Sequence, residues 1–184
     1  DGDHAPGVSS MANEIVDAVA EACRVEGIEV PKLAFEPGRA IVGRAGVTLY
    51  SVGTIKDVKL ADGQIRKYVS VDGGMSDNLR AALYQAEYST RLVSRISSAK
   101  PALVRVVGKH CESGDIVVRD LMMARDVAPG DFIAVAATGA YHRSMASNYN
   151  MVTRPAVVAV KHESARLLVR RETESDLLAL DQGL

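Results

Sequence analysis

A mainly β fold, entered through one helix–strand unit, is predicted by three features of the sequence. Past Gly46, β-branched and aromatic residues gather in short runs such as Val47-Thr48-Leu49-Tyr50-Ser51-Val52. Turn residues separate these runs, Asp62-Gly63 being the clearest hairpin signal. Before Gly46 the texture differs, with a helical apolar pattern followed by a short apolar stretch. The expected organisation is a helix–strand unit over residues 1–43 and a β-sandwich or barrel-like domain over residues 44–184, a size usual for one domain.

In chain order, Ser10 is a candidate N-cap, and Ile15, Val16, Val19 and Cys23 follow it along one face. Gly27 stands where a glycine commonly ends a helix. Residues 32–36 read as a strand, so the opening segment has the form of the tail of an α/β repeat. Strands are expected at 47–52, 55–60, 65–71, 102–107, 116–119, 132–136, 156–160 and 166–171, and residues 173–180 as a short closing helix. No internal repeat or low-complexity stretch interrupts this pattern.

Composition narrows the function classes. With 22 basic and 23 acidic residues the formal net charge is -1, so nucleic acid and anionic membranes have no electrostatic claim as partners. No apolar run approaches the ~20 residues needed to span a bilayer, and no basic, apolar start reads as a signal peptide. Cys23 and Cys111 cannot build a disulfide framework, which makes a reducing cytoplasm the expected compartment. The chain opens Asp1-Gly2-Asp3-His4 and enters a helix signal almost at once, as a truncated product or part of a longer protein would, a processed mature chain being the alternative. His4, His142 and His162 are scattered without metal-ligand spacing, so no metal is expected. Arg170-Arg171 reads as a solvated strand end.

Four blocks carry chemistry. Cys111-Glu112-Ser113-Gly114-Asp115 is the sharpest. A lone cysteine is more often a small buried hydrophobe, which suits Cys23. Cys111 instead lies in a polar run beside Lys109 and His110, where a thiol stays accessible. Glu36-Pro37-Gly38-Arg39 is most simply a tight turn, yet it follows a predicted strand, and barrel active sites gather at such ends. Asp72-Gly73-Gly74-Met75-Ser76-Asp77-Asn78 leads to Arg80 and Tyr84. Thr138-Gly139-Ala140-Tyr141 precedes Ser144-Met145-Ala146-Ser147-Asn148-Tyr149-Asn150.

In this order the blocks resemble the fold-III pyridoxal-phosphate (PLP) amino-acid decarboxylases, and among them the diaminopimelate branch. The likeness covers nearly the whole chain but only the second half, or less, of the family's length. It implies the last helix–strand unit of an alanine-racemase-like (β/α)8 barrel followed by the family's C-terminal β domain. It implies PLP as cofactor, with Glu36 on the ring nitrogen, Gly38 close to the phosphate, and Arg39 on the phosphate or the substrate carboxylate. Tyr141 would contact both phosphate and substrate. Arg80 and Tyr84 would bind the distal carboxylate of diaminopimelate and Glu112 its distal ammonium. Cys111 would be the general acid that reprotonates the α-carbon. Both Cys111 and Glu112 would reach into the neighbouring subunit of a homodimer. The resemblance requires nothing of His110 and gives residues 144–150 only a loop-ordering part. Ala81 departs from the proline usual after the equivalent arginine.

The implied reaction converts meso-2,6-diaminopimelate to L-lysine and carbon dioxide. None of the seven lysines (Lys32, Lys56, Lys59, Lys67, Lys100, Lys109 and Lys161) stands in the Ala-x-Lys-Ala type of setting that the family uses to hold its cofactor. The chain by itself is therefore expected to be inactive. An ornithine- or arginine-type decarboxylase is the alternative. Arg80, and Gln85 where ornithine-type relatives carry aspartate, favour diaminopimelate. A non-catalytic β-sandwich dimerisation module is the third reading.

Overall fold

A computed structural model describes residues 6–183, so His4 lies outside the described residues. The chain divides between Glu36 and Pro37 into two compact units. The first carries helix α1, Val8–Glu26, whose N-cap is Gly7 rather than Ser10. Ser10 lies inside the helix, where its hydroxyl donates one turn ahead to Glu14 (3.0 Å) and caps no backbone N–H. Gly27 ends α1 as expected: at φ 67° it lets its own N–H and that of Ile28 return to the carbonyls of Arg24 and Cys23. Cys23 is buried. Residues 32–36 are not a strand, since they pair with no other segment among the described residues and a strand exists only through its neighbour's ladder.

The second unit opens with a short helix α2, Gly38–Val42, and a 3-10 turn over Gly43–Ala45. Strand β1 runs from Val47 to Lys59 as one bent strand where two were expected. A register shift between Val52 and Ile55 divides it. Its first part pairs antiparallel with β6 (Phe132–Ala136), from Val47 opposite Ala136 to Ser51 opposite Phe132. Its second part pairs with β2 (Ile65–Val71). A bulge bends and twists the strand that carries it, so β1 can serve two neighbours that face different ways.

Helix α3 (Leu79–Tyr84) and strand β3 (Thr90–Leu92) follow, then β4 (Pro101–Val107) and β5 (Ile116–Ala124). The sheet order is β3-β6-β1-β2-β4-β5, antiparallel throughout except for the parallel pair β2–β4. Its outer strands β3 and β5 approach one another, which makes the sheet barrel-like and nearly closed. Val69, Val104, Val106, Ile133 and Val135 are fully buried inside it, with Tyr50, Val52, Val71 and Val117 around them. Each such side chain contributes roughly 1.5–3 kcal/mol by leaving water. Strand β3 and helices α2 and α3 are too short to show a period, which is why the sequence pattern misses them.

Strands β7 (Val157–Lys161) and β8 (Ser164–Val169) form a separate hairpin. His162 and Glu163 turn it, both with positive φ (47° and 62°), as a two-residue hairpin loop requires. Helix α4, Glu174–Leu178, starts at Thr173 through a reciprocal capping box with Asp176. Arg170 is not simply solvated, because its guanidinium forks onto the Asp176 carboxylate (2.6 and 2.7 Å). Among the described residues no helix is long and apolar enough to cross a membrane.

Candidate active site

Two groups of predicted residues assemble on loops and short helices of the second unit. The first depends on an unusually close backbone approach. Thr138 donates its N–H to the Gly46 carbonyl and Gly139 donates to Gly43, both at 3.0 Å. A Cβ on Gly46 would overlap the Gly139 backbone, and one on Gly139 would overlap the Val42 carbonyl oxygen. Only glycine permits that contact, and it seats α2 against the loop that carries Tyr141. The Arg39 guanidinium consequently lies over the Tyr141 ring, 5.5 Å from its centroid.

Arg80 arrives at the same ring from α3, 5.3 Å from the Tyr141 centroid, and also lies 5.0 Å from the ring of Tyr84 one turn ahead. Tyr141 itself sits at φ 66°. A non-glycine residue in this region bears strain of order 1–3 kcal/mol, so the surrounding loop holds Tyr141 in place. The position of a Cβ on Gly38 would lie 3.8 Å from the Tyr141 hydroxyl. His142 packs behind, buried, with its ring edge-on to Tyr88 and Nδ1 paired with the Ala140 carbonyl (2.9 Å). Burial pushes its imidazole pKa down, so it adds no further positive charge to a place that already holds two guanidiniums.

The second group is built around Asp115. Its side chain is buried, and each oxygen accepts a backbone N–H from a different loop: Oδ1 from Met75 (2.6 Å) and Oδ2 from His110 (2.7 Å). Gly74 and Gly108 lie so close that a Cβ on either would overlap the carboxylate. Asp77 supports the same glycine loop by accepting from the Gly74 N–H (3.0 Å) and from the Tyr50 hydroxyl in the core. Burial raises the pKa of both Asp77 and Tyr50. His110 is buried, its Nε2 2.8 Å from Ser76 Oγ, so it pins the loop that carries Cys111. From this pinned loop Cys111 and Glu112 project into solvent. The Tyr149 hydroxyl donates to Glu112 Oε1.

Gly38, Arg39, Arg80, Tyr84 and Tyr141 are thus brought together, and so are Cys111 and Glu112. Among the described residues no hydrogen bond, salt bridge or ring contact joins the two groups. Glu36 lies in the other compact unit and is exposed. Asp115, His110 and Tyr149 are the contributors that motif reading passed over. Asp115 had a signal, being part of the Cys111–Asp115 block, but its work is to accept backbone N–H groups, which no spacing reveals. No group of three or more His, Cys, Asp or Glu side chains suited to a metal ion occurs among the described residues.

Residues 13–139 match the family described as pyridoxal-dependent decarboxylase, C-terminal sheet domain. The chain belongs to the pyridoxal-dependent decarboxylases. Within that decarboxylase family it is 56% identical over 179 residues to the diaminopimelate decarboxylase of Mycobacterium tuberculosis, covering 97% of this chain and 40% of that protein. It is 46% identical over 181 residues to the enzyme of the same name from Staphylococcus aureus, covering 98% of this chain and 42% of the relative. The crystal structure of diaminopimelate decarboxylase from M. jannaschii in co-complex with L-lysine superposes with a TM-score of 0.85 at 32% identity, over 98% of this chain and 39% of that one. The chain therefore spans about 40% of the length of the curated relatives it matches.

The residues present suit the decarboxylase cofactor. PLP carries a phosphate, and the first group offers two guanidinium forks stacked about one phenol ring, with no carboxylate among the described residues in hydrogen-bond or ring contact with them. Such donors pair well with phosphate or carboxylate oxygens.

Proposed function

We propose that this chain is the C-terminal part of a diaminopimelate decarboxylase that converts meso-2,6-diaminopimelate to L-lysine and carbon dioxide. The observation that carries the reading is the pairing of an anion-binding group with a separate thiol–carboxylate loop. Diaminopimelate presents a carboxylate and an ammonium at its distal end, and Arg80 and Glu112 are complementary to those two charges. A site that lacked either partner would leave one of them unmatched.

Arg39 and Tyr141 would hold the phosphate of PLP, with Gly38 admitting it closely, and Glu36 would face the ring nitrogen. When bound, PLP supplies the electron-accepting ring that makes loss of carbon dioxide from an amino acid feasible. Arg80 and Tyr84 orient the substrate through its distal carboxylate. Glu112 receives the distal ammonium. Cys111 Sγ holds the proton that passes to the α-carbon after carbon dioxide leaves, which makes it the general acid. The two groups come together across the axis of a homodimer, each subunit lending Cys111 and Glu112 to its neighbour. A reducing cytoplasm suits the exposed, unpaired Cys111.

The test is turnover by the full-length protein from which this chain comes, with diaminopimelate and ornithine compared. Release of lysine and carbon dioxide from diaminopimelate, with ornithine at least a hundredfold poorer in kcat/KM, is expected. Preference for ornithine, which has no distal carboxylate for Arg80, would overturn the substrate assignment.

A further inference from the structure

The stretch from Ser144 to Asn150 has no part in the chemistry above, yet it is held as firmly as the loops that do. Ser147 donates its N–H to the Ser76 carbonyl (2.9 Å). The Asn148 amide donates to the Val152 carbonyl (3.1 Å) and to the Glu172 carboxylate (2.6 Å). Glu172 is gripped in turn by the Arg154 N–H (2.8 Å) and its guanidinium (2.5 Å). Asn150 and Met151 both take left-handed backbone, φ 55° and 57°. Neither is glycine, so the surrounding contacts must enforce this turn.

The turn's outcome is the placement of one side chain, Tyr149. Its ring leans on His110, centroid to centroid 5.4 Å, and Asp115 and Ser76 lock that histidine from below. Its hydroxyl donates to Glu112 Oε1. A carboxylate has two oxygens with about four acceptor sites, so Oε2 stays available. An exposed glutamate otherwise samples many rotamers and loses that freedom when it binds. A hydrogen bond from a phenol on a rigid turn removes that freedom beforehand.

We propose that Tyr149 is a positioning residue, which aims the Glu112 carboxylate so that Oε2 meets the distal ammonium of the substrate. This rests on the reading of Glu112 given above. The rival account is that Tyr149 merely packs against His110.

The two accounts separate in a double-mutant cycle on the full-length protein. Tyr149→Phe keeps the ring and removes only the hydroxyl. It is expected to raise KM for diaminopimelate about tenfold, the scale of a lost hydrogen bond to a charged group, with kcat changed less than about threefold. Glu112→Gln is expected to raise KM at least as much. The double variant should match Glu112→Gln alone within about twofold, because Tyr149 acts only through Glu112.

Multiplicative effects on KM would overturn the proposal. So would an unchanged KM in Tyr149→Phe, with or without a lowered melting midpoint, since that marks a packing role. Failure of the unaltered protein to decarboxylate diaminopimelate would remove the reading of Glu112 and this proposal together. Intact turnover with a non-coupled cycle would remove this proposal alone.

Discussion

The two groups of site residues are pre-ordered by opposite means. Arg39 and Arg80 are cations held by stacking on Tyr141 and Tyr84, and the loop beneath them is fixed by glycine-to-backbone contact. Cys111 and Glu112 lie on a loop held by hydrogen bonds, from Asp115 within and Tyr149 without. The difference follows from charge. Two guanidiniums pinned by carboxylates would be neutralised before a ligand arrived, whereas aromatic faces hold them and leave their N–H groups free for an anion. A carboxylate can accept one hydrogen bond and still keep its charge for a cation. Each group thus keeps unsatisfied what its proposed ligand would need.

The sharpest way to break this contrast is Cys111→Ala in the full-length protein. If the second group supplies a proton, kcat falls by about 10²–10⁴, while KM for diaminopimelate changes little. Steady-state kinetics decides, and an unaltered kcat removes the acid role.

Next in size is Gly139→Ala, which attacks the scaffold of the first group. The new Cβ meets the Val42 carbonyl, so α2 and Arg39 must move away from Tyr141. A loss of about 1–3 kcal/mol in stability is expected from overpacking, together with weaker PLP retention on dialysis. Chemical denaturation and cofactor content measure the two effects.

Arg80→Lys refines the picture. Lysine keeps the charge but loses the planar fork and much of the stacking. KM for diaminopimelate should rise about tenfold with kcat nearly constant. A KM that does not move would show that charge alone suffices there.

The smallest effect tests ion pairs outside both groups. Arg95 hydrogen-bonds Asp131 at 3.0 and 2.9 Å and holds its carboxyl pKa down to about 2. Arg154 does the same for Glu172. Unfolded carboxylates titrate near 4, so the unfolded chain takes up protons first as pH falls. These pairs therefore stabilise the fold above about pH 5, and their contribution drains away between about pH 5 and pH 2. Asp131 is buried but Arg95 is partly exposed, so solvent screening holds each pair to about 1 kcal/mol. Asp131→Asn should flatten the acid limb of the stability curve by that amount in denaturant titrations.

Legibility in the sequence followed the range of the physics. The αL glycine at Gly27, the short closing helix and most sheet strands are readable because turns and side-chain alternation act within a few residues, whereas the Ser10 cap is not, since Gly7 takes that place. The bend in β1 was read as a gap between two strands, since a bulge leaves no local mark beyond Gly53-Thr54. Arg39, Arg80, Tyr141, Cys111 and Glu112 stand out as candidates through motif likeness. Asp115, His110 and Tyr149 were not, because each acts through a backbone group or a distant side chain.

By itself, then, the sequence determined a strand-rich chain with one leading helix closed by Gly27, a net charge of only -1 and four chemically distinctive blocks. Tertiary structure alone decided which blocks meet. Strand order carries the Tyr141 loop to α2, and the contact of Gly46 with Gly139 sets how closely they approach. A buried carboxylate joins the Met75 loop to the His110 loop. Those contacts arise from sheet closure and shared burial, which depend on the whole core at once and leave no periodic trace in any short window of residues.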